Sequence, residues 1–343
     1  MDNKNKALVL FSGGLDSMLS AKLLAEQGLT ADLLSFRSDF YDSARARQSA
    51  VQIGYRLIEH DISGQMRELV KNPPNGYGKN LNPCIDCHGL MLSVAADIFK
   101  TGGYGILATG EVLDQRPFSQ SLAALKKISD IAGIEVLRPL SAKLLPETSY
   151  EASGPVKRHK LFDISGRGRK RQMELAGRLG IKSFSSPAGG CLLTDNAFSE
   201  RMLRLMDYWP DFRSNDIEIM KRGRNFWAKL KPGQAGNENA LITVGRNKEE
   251  SEILEQLAQK GDFMLQLKDE TGPTSIMRVI SPKNAPAAKE IELLIPEDLK
   301  AASLKLEEKK ELSSRLDAAA LLTGYYSPKA RGKLEKVMIK IKI

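Results

Sequence analysis

Few cysteines and no long apolar run mark this sequence of 343 residues. Its three thiols, Cys84, Cys87 and Cys191, are too few and odd in number for a disulfide framework. They point to reactive or metal-binding sulfur instead. No uninterrupted apolar stretch reaches the length that crosses a bilayer, so no membrane is expected as a partner. The opening Met1-Asp2-Asn3-Lys4-Asn5-Lys6 lacks the hydrophobic region of a secretory signal, and the expected location is cytoplasmic. Also missing is a lysine behind the first glycine pair, which excludes a Walker A phosphate loop.

What is present begins with charge. The formal net charge is +9, which favours polyanionic partners, nucleic acid above all. Lys157, Arg158 and Lys160 lie close in sequence to Arg167, Arg169, Lys170 and Arg171. Such a run reads either as a solvated face or as a surface that tracks phosphates. Beside a nucleotide-activating loop, the phosphate-tracking reading is the expectation.

That loop is Ser12-Gly13-Gly14-Leu15-Asp16-Ser17. An apolar strand pattern, Ala7-Leu8-Val9-Leu10-Phe11, precedes it, and a helical pattern follows from Met18. Paired glycines allow several backbone N–H groups to converge on one anion, and the helix adds its positive N-terminal end. A tight turn with glycines for steric reasons alone is the competing reading. The order Ser-Gly-Gly-x-Asp-Ser resembles the PP-loop of the ATP pyrophosphatases. That resemblance implies ATP cleaved between its α and β phosphates and an adenylylated acceptor.

The first half alternates strand and helix patterns. Strands are expected at 31–36, 55–60, 105–110 and 135–137, and helices at 43–53, 89–99 and 120–131. The alternation predicts an α/β fold with a doubly wound, mainly parallel sheet. Ligands of such sheets sit beyond the carboxyl ends of the strands, so residues after Phe11, Phe36 and Ala108 should share a cleft. The pattern changes near Asp195. A connecting helix and linker are expected over 196–239, with a loop at 231–236. A smaller α+β domain is expected over 240–343, with strands at 240–244, 263–267, 276–280 and 337–341 and a charged helix over 299–322. The domain expectation is thus 1–195, 196–239 and 240–343.

Cys84-Ile85-Asp86-Cys87-His88 places a Cys-x-x-Cys pair just before an expected helix, and Cys191 follows a glycine pair about a hundred residues later. Three thiolates suit a [4Fe–4S] cluster with one iron left open. They equally suit persulfide chemistry, with one thiol carrying sulfur and another resolving it, and structural zinc is the third reading. His88 reads as a local capping or structural residue.

With these features together, the first domain resembles the tRNA sulfurtransferases that use a PP-loop. Thr109-Gly110-Glu111-Val112-Leu113-Asp114-Gln115, Ser119-Gln120 and Leu137-Arg138-Pro139-Leu140 look like a pattern of the 4-thiouridine synthase family. Pro83-Cys84 to Cys87 with the distant Cys191 is more like the 2-thiouridylase family. The resemblance covers about residues 6–195 and implies an adenine nucleotide α-hydrolase-like fold. It implies ATP bound by Ser12, Gly13, Gly14, Asp16, Ser17, Ser35, Phe36, Thr109 and Gly110, and Mg²⁺ placed by Asp16. It implies a cluster on Cys84, Cys87 and Cys191, with Asp16, Cys87 and Cys191 as catalytic residues. The implied partners are tRNA, held by Lys157, Arg158, Lys160, Arg167, Arg169, Lys170 and Arg171, a sulfur donor (sulfide or a sulfur-carrier protein) and a second copy of the chain.

The sequence departs from the 4-thiouridine family where Asp114 replaces a glycine. Neither that family's N-terminal RNA-binding module nor its C-terminal rhodanese-like domain is expected. From about Ala240 the chain resembles the RNA-binding domain of ribosome quality-control (NFACT) factors. The matching residues include Gly245-Arg246-Asn247, Gly261-Asp262-Phe263 and Thr271-Gly272-Pro273, while Phe263-Met264-Leu265-Gln266 replaces a usual tryptophan-histidine pair. Two other functions stand beside tRNA thiolation: a PP-loop ligase adenylylating a small carboxylate or amide, and a non-catalytic ATP-sensing RNA-binding adaptor.

Overall fold

A computed structural model describes residues 3–152, 154–184, 190–230, 239–268, 270–280, 291–294, 315–330 and 337–341. The loop expected at 231–236, the stretch 187–189 ahead of Cys191 and residues 299–314 of the expected charged helix lie outside the described residues. Two compact units divide the chain, Met1–Ser199 and Glu200–Ile343.

The first unit is built on β1 (Asn3–Leu10), α1 (Leu15–Ala25), β2 (Thr30–Arg37), α2 (Ala44–Ile53), β3 (Leu57–Asp61), α3 (Ser63–Lys71), α4 (Cys84–Thr101), β4 (Tyr104–Thr109) and α5 (Leu122–Ala132). A short α6 (Ser149–Ala152) and α7 (Lys170–Arg178) follow. The four strands form one parallel sheet in the order β3-β2-β1-β4. Strand order therefore reverses at β1, which makes its carboxyl end the switch point where α/β sheets hold ligands. Ala7, Leu8 and Val9 are wholly buried, as a parallel strand covered on both faces requires. Leu15, Met18, Leu19, Leu23 and Leu24 of α1 are buried with them. This is the α/β architecture that the alternating pattern predicts.

Two local expectations differ from the structure, and one helix has no counterpart among them. The stretch 135–137 contributes a single parallel bridge, Ala108 to Leu137, rather than a full strand. The polar helix α3 has only Met66 and Val70 buried, too sparse an apolar stripe to stand out in the sequence. Helix α4 begins at Cys84, so the Cys-x-x-Cys pair lies within its first turn rather than ahead of it. Pro83 explains the start: its fixed φ suits a helix entry, and its carbonyl accepts from the Cys87 N–H at 2.8 Å.

Helix α8 (Asn196–Tyr208) spans the division, and the second unit continues with α9 (Ser214–Met220), β5 (Arg224–Leu230), β6 (Asn239–Val244), α10 (Lys248–Leu257), β7 (Phe263–Leu267), β8 (Ser275–Ile280), β9 (Ile291–Leu294), α11 (Arg315–Tyr325) and β10 (Val337–Ile341). Its sheet is antiparallel, in the order β10-β7-β8-β6-β5-β9. Residues 224–230, read from sequence as part of a connecting segment, form an inner strand of this sheet. Phe226, Ile242, Leu265 and Met277 pack on Ala318, Ala319 and Leu322 of α11. Arg278 is buried with Asp216 at one end of its guanidinium and Asp262 at the other, Nη2 to Oδ2 2.6 Å. Paired so, a buried cation is tolerated; unpaired, it would cost several kcal/mol.

Candidate active site

The turn between β1 and α1 is shaped by Gly13, whose φ of +72° favours glycine. A Cβ on it would also stand 2.6 Å from the Arg45 carbonyl oxygen, at the start of α2. The buried Ser49 hydroxyl donates to the Gly13 carbonyl at 2.8 Å, and Ser17 Oγ donates to the Gly14 carbonyl at 2.8 Å. Gly14 N–H donates to Ser12 Oγ at 3.3 Å. The loop is thus held by its own hydroxyls and by α2.

Asp16 lies in the first turn of α1. Gln115 Nε2 donates to its Oδ2 at 3.1 Å, while its Oδ1 is buried without a partner among the described residues. Burial raises the Asp16 pKa against the opposing pull of the Gln115 hydrogen bond and of the Arg169 and Arg116 charges. A buried carboxylate oxygen with no donor is a place for a cation. At the end of β2, Ser35 and Phe36 are both buried, and Phe36 meets His60 edge-on.

The end of β4 ties two elements together. Gly110 approaches α1 so closely that a Cβ there would lie 2.5 Å from the Ser17 nitrogen. Glu111 receives His88 Nδ1 at 3.0 Å, Arg138 Nε at 3.0 Å and Thr109 Oγ1 at 3.2 Å. Burial works to raise its pKa, but Arg138 and His88 prevail and hold it down at about 2. His88 is structural, yet its partner lies 23 residues away rather than locally.

The thiols gather at the start of α4. Asn82 Nδ2 donates to Cys84 Sγ at 3.2 Å, and the Tyr41 hydroxyl lies 3.7 Å from Cys87 Sγ. Cys191 is brought in by its neighbours: Leu192 N–H donates to the Phe40 carbonyl at 2.9 Å, and Asn80 Nδ2 donates to the Thr194 carbonyl at 2.7 Å. Burial raises the Cys87 pKa, and Cys191 and Cys84 raise it further. Burial likewise pushes Cys191 up to about 11, with Cys84 adding to the shift and Arg116 opposing it. Among the described residues, no group of three or more His, Cys, Asp or Glu side chains is arranged to hold a metal ion.

The basic run divides. Arg158 pairs with Glu151 at 2.7 Å and Arg171 with Asp163 at 2.6 Å, so both have structural partners. Arg169 is half-buried, stacks over the Phe184 ring at 5.9 Å and directs its charge at Asp16. Lys157, Lys160, Arg167 and Lys170 are exposed. Sequence reasoning missed Tyr41, Gln115, Arg116 and the ion pairing of Glu111 with Arg138. The Thr-Gly-Glu stretch flagged the right segment, but contacts across 27 or 99 residues leave no local signal.

A glycine turn after the first parallel strand, a carboxylate in the next helical turn and a switch point above them are consistent with the PP-loop α/β fold of nucleotide-binding proteins. Residues 3–143 match the ThiI family, described as thiamine biosynthesis protein (ThiI). A probable tRNA sulfurtransferase of Anoxybacillus flavithermus is 29% identical over 146 residues, which cover 39% of this chain and 35% of that protein. The chain therefore spans about a third of the length of this curated relative. Among solved structures, a predicted subunit of tRNA methyltransferase from Methanocaldococcus jannaschii aligns with a TM-score of 0.34 and 22% identity, over 53% of this chain and 80% of that one. Among the described residues, no helix is long and apolar enough to cross a membrane.

Proposed function

We propose that this protein is an ATP-dependent tRNA sulfurtransferase that adenylylates a uridine carbonyl oxygen and replaces that oxygen with sulfur. One observation carries the reading: a single segment, 109–115, touches the nucleotide loop through Gln115 and Asp16 and the thiol helix through Glu111 and His88. Activation and sulfur delivery thus share one edge of the sheet. The relative named a tRNA sulfurtransferase supports the same chemistry.

ATP phosphates lie against the backbone of 12–17 and the N-terminus of α1. Asp16 Oδ1 fits Mg²⁺, and Gln115 fixes the carboxylate by holding Oδ2. Arg169 and Arg116 face the same charge and offset what builds on the phosphates. The uridine oxygen attacks the α-phosphorus and pyrophosphate departs. Sulfur then bonds to the activated carbon and AMP leaves with the oxygen. Among the described residues Cys84, Cys87 and Cys191 are not arranged as a ligand set for a metal ion or a [4Fe–4S] cluster, and their thiols are the chain's own sulfur-handling groups. The chain's own part is to bury Cys87 while Cys84 and Cys191 stay partly exposed. The exposed cations of 157–170 hold tRNA, the second unit adds RNA affinity, and the product is 4-thiouridine or 2-thiouridine.

The test is mass spectrometry of tRNA nucleosides from cells lacking the chain, with complementation by the wild type and by Asp16→Ala and Cys191→Ala. A thiolated uridine should vanish and return only with the wild type. Unchanged nucleosides sink the assignment, and AMP formation that depends on a small carboxylate instead of tRNA favours a ligase.

A further inference from the structure

Between the two half-sites the chain makes a closed bend. Asp114 N–H donates to the Gln120 carbonyl at 2.8 Å, and Gln120 N–H donates to the Arg116 carbonyl at 2.7 Å. Asp114 has a φ of +58°, the one non-glycine residue among those described with positive φ. Such strain persists only where surrounding contacts impose it. Here Gln115 is clamped on Asp16 on one side, and Ser119 and Gln120 are buried on the other.

The crown left outside is Arg116-Pro117-Phe118, all three exposed, with Phe118 38% accessible as a residue. Arg116 forms no ion pair among the described residues, and its charge bears on both Asp16 and Cys191. Gln115 ties this bend to Asp16, so the crown stands at the rim of the place where a base would be activated. To reach there the base must leave its own stack, which costs a few kcal/mol. An aromatic face at the destination offsets that loss, and a nearby guanidinium takes a phosphate.

We propose that this bend captures the target nucleotide: Phe118 stacks on the extruded base and Arg116 holds a flanking phosphate. The proposal deepens the sulfurtransferase reading and rests on it. Its test uses the full chain, ATP, a sulfur source and unmodified tRNA, with the thiolation rate followed against tRNA concentration. Phe118→Ala should raise KM for tRNA by about tenfold, the scale of one lost base–aromatic stack. Phe118→Trp, which keeps a stacking face, should return KM to within about twofold of the wild type, whereas Phe118→Leu, apolar but without a π-face, should not. A wild-type KM in Phe118→Ala, or rescue by leucine as full as by tryptophan, overturns the capture role alone. A wild-type chain that thiolates no tRNA overturns the sulfurtransferase reading as well.

Discussion

Asp16 is kept by the fold in a state it would not choose alone. Burial disfavours its charge, Gln115 satisfies one oxygen, and the other is left without a donor. A cation resolves that conflict, so Asp16→Asn, of equal size but no charge, should lower ATP-dependent AMP formation by a hundredfold or more, roughly the loss seen when one charge-stabilising group is removed. Turnover near wild type would remove Asp16 from the chemistry. The thiols make a second residue-scale prediction. In metal-free protein, Cys191 is a protonated thiol at neutral pH because burial and Cys84 push it up to about 11. Its alkylation by iodoacetamide should therefore rise by about tenfold per pH unit from neutrality towards that value, since only the thiolate reacts. A rate that levels off near pH 8, measured by peptide mass spectrometry, would show that Cys191 is not held this way.

At the scale of elements, the joint between β4 and α4 is electrostatic. Glu111 accepts from Arg138, a side chain 7% exposed, and from His88 on the cysteine-bearing helix. Its folded pKa is depressed, from 4.5 to about 2, so its contribution to stability is full above pH 4.5 and is lost as pH falls towards 2. Glu111→Gln should cost about 3 kcal/mol at neutral pH, because Arg138 is left buried without its counter-charge. The variant should also show a weaker loss of stability between pH 4.5 and 2 than the wild type. Thermal melts across that range check both, and parallel acid curves would refute the role. Of this element-scale picture, the strand-loop-helix of 7–24 was legible in sequence, because apolar run, paired glycines and helical pattern are all local. The joint was not. The Thr-Gly-Glu stretch announced itself, but nothing near Glu111 says that Arg138 returns to it from the far side of α5. The start of α4 was misplaced by five residues for a related reason: cysteine has no strong helix signal, and Pro83 was the cue to use.

For the whole molecule, the excess of positive charge is a weaker guide than its distribution. The net charge is +9, yet some cations of the basic run are already occupied, Arg158 by Glu151 and Arg171 by Asp163, as is Arg178 beyond it by Glu26. Cations with structural partners release few counterions from a nucleic acid, since they have no free charge to offer. Lys157, Lys160, Arg167 and Lys170 are the exposed members that form no ion pair among the described residues, and they should carry the phosphate contacts. Each phosphate neutralised steepens the fall of log affinity with log salt by about 0.7 to 0.9, so replacing these four by serine should flatten the slope for tRNA by about 3. Affinity should drop alike for all tRNA sequences, because phosphate contacts position the RNA without reading it. Replacing Arg158 and Arg171 instead should leave the slope nearly unchanged and lower the melting temperature, as loss of a structural ion pair would. Filter binding from 50 to 300 mM salt, about the range where such slopes are measured, separates the two sets. Equal effects on slope from both would mean that the ion pairs open when RNA binds, and the division between structural and functional cations would fail.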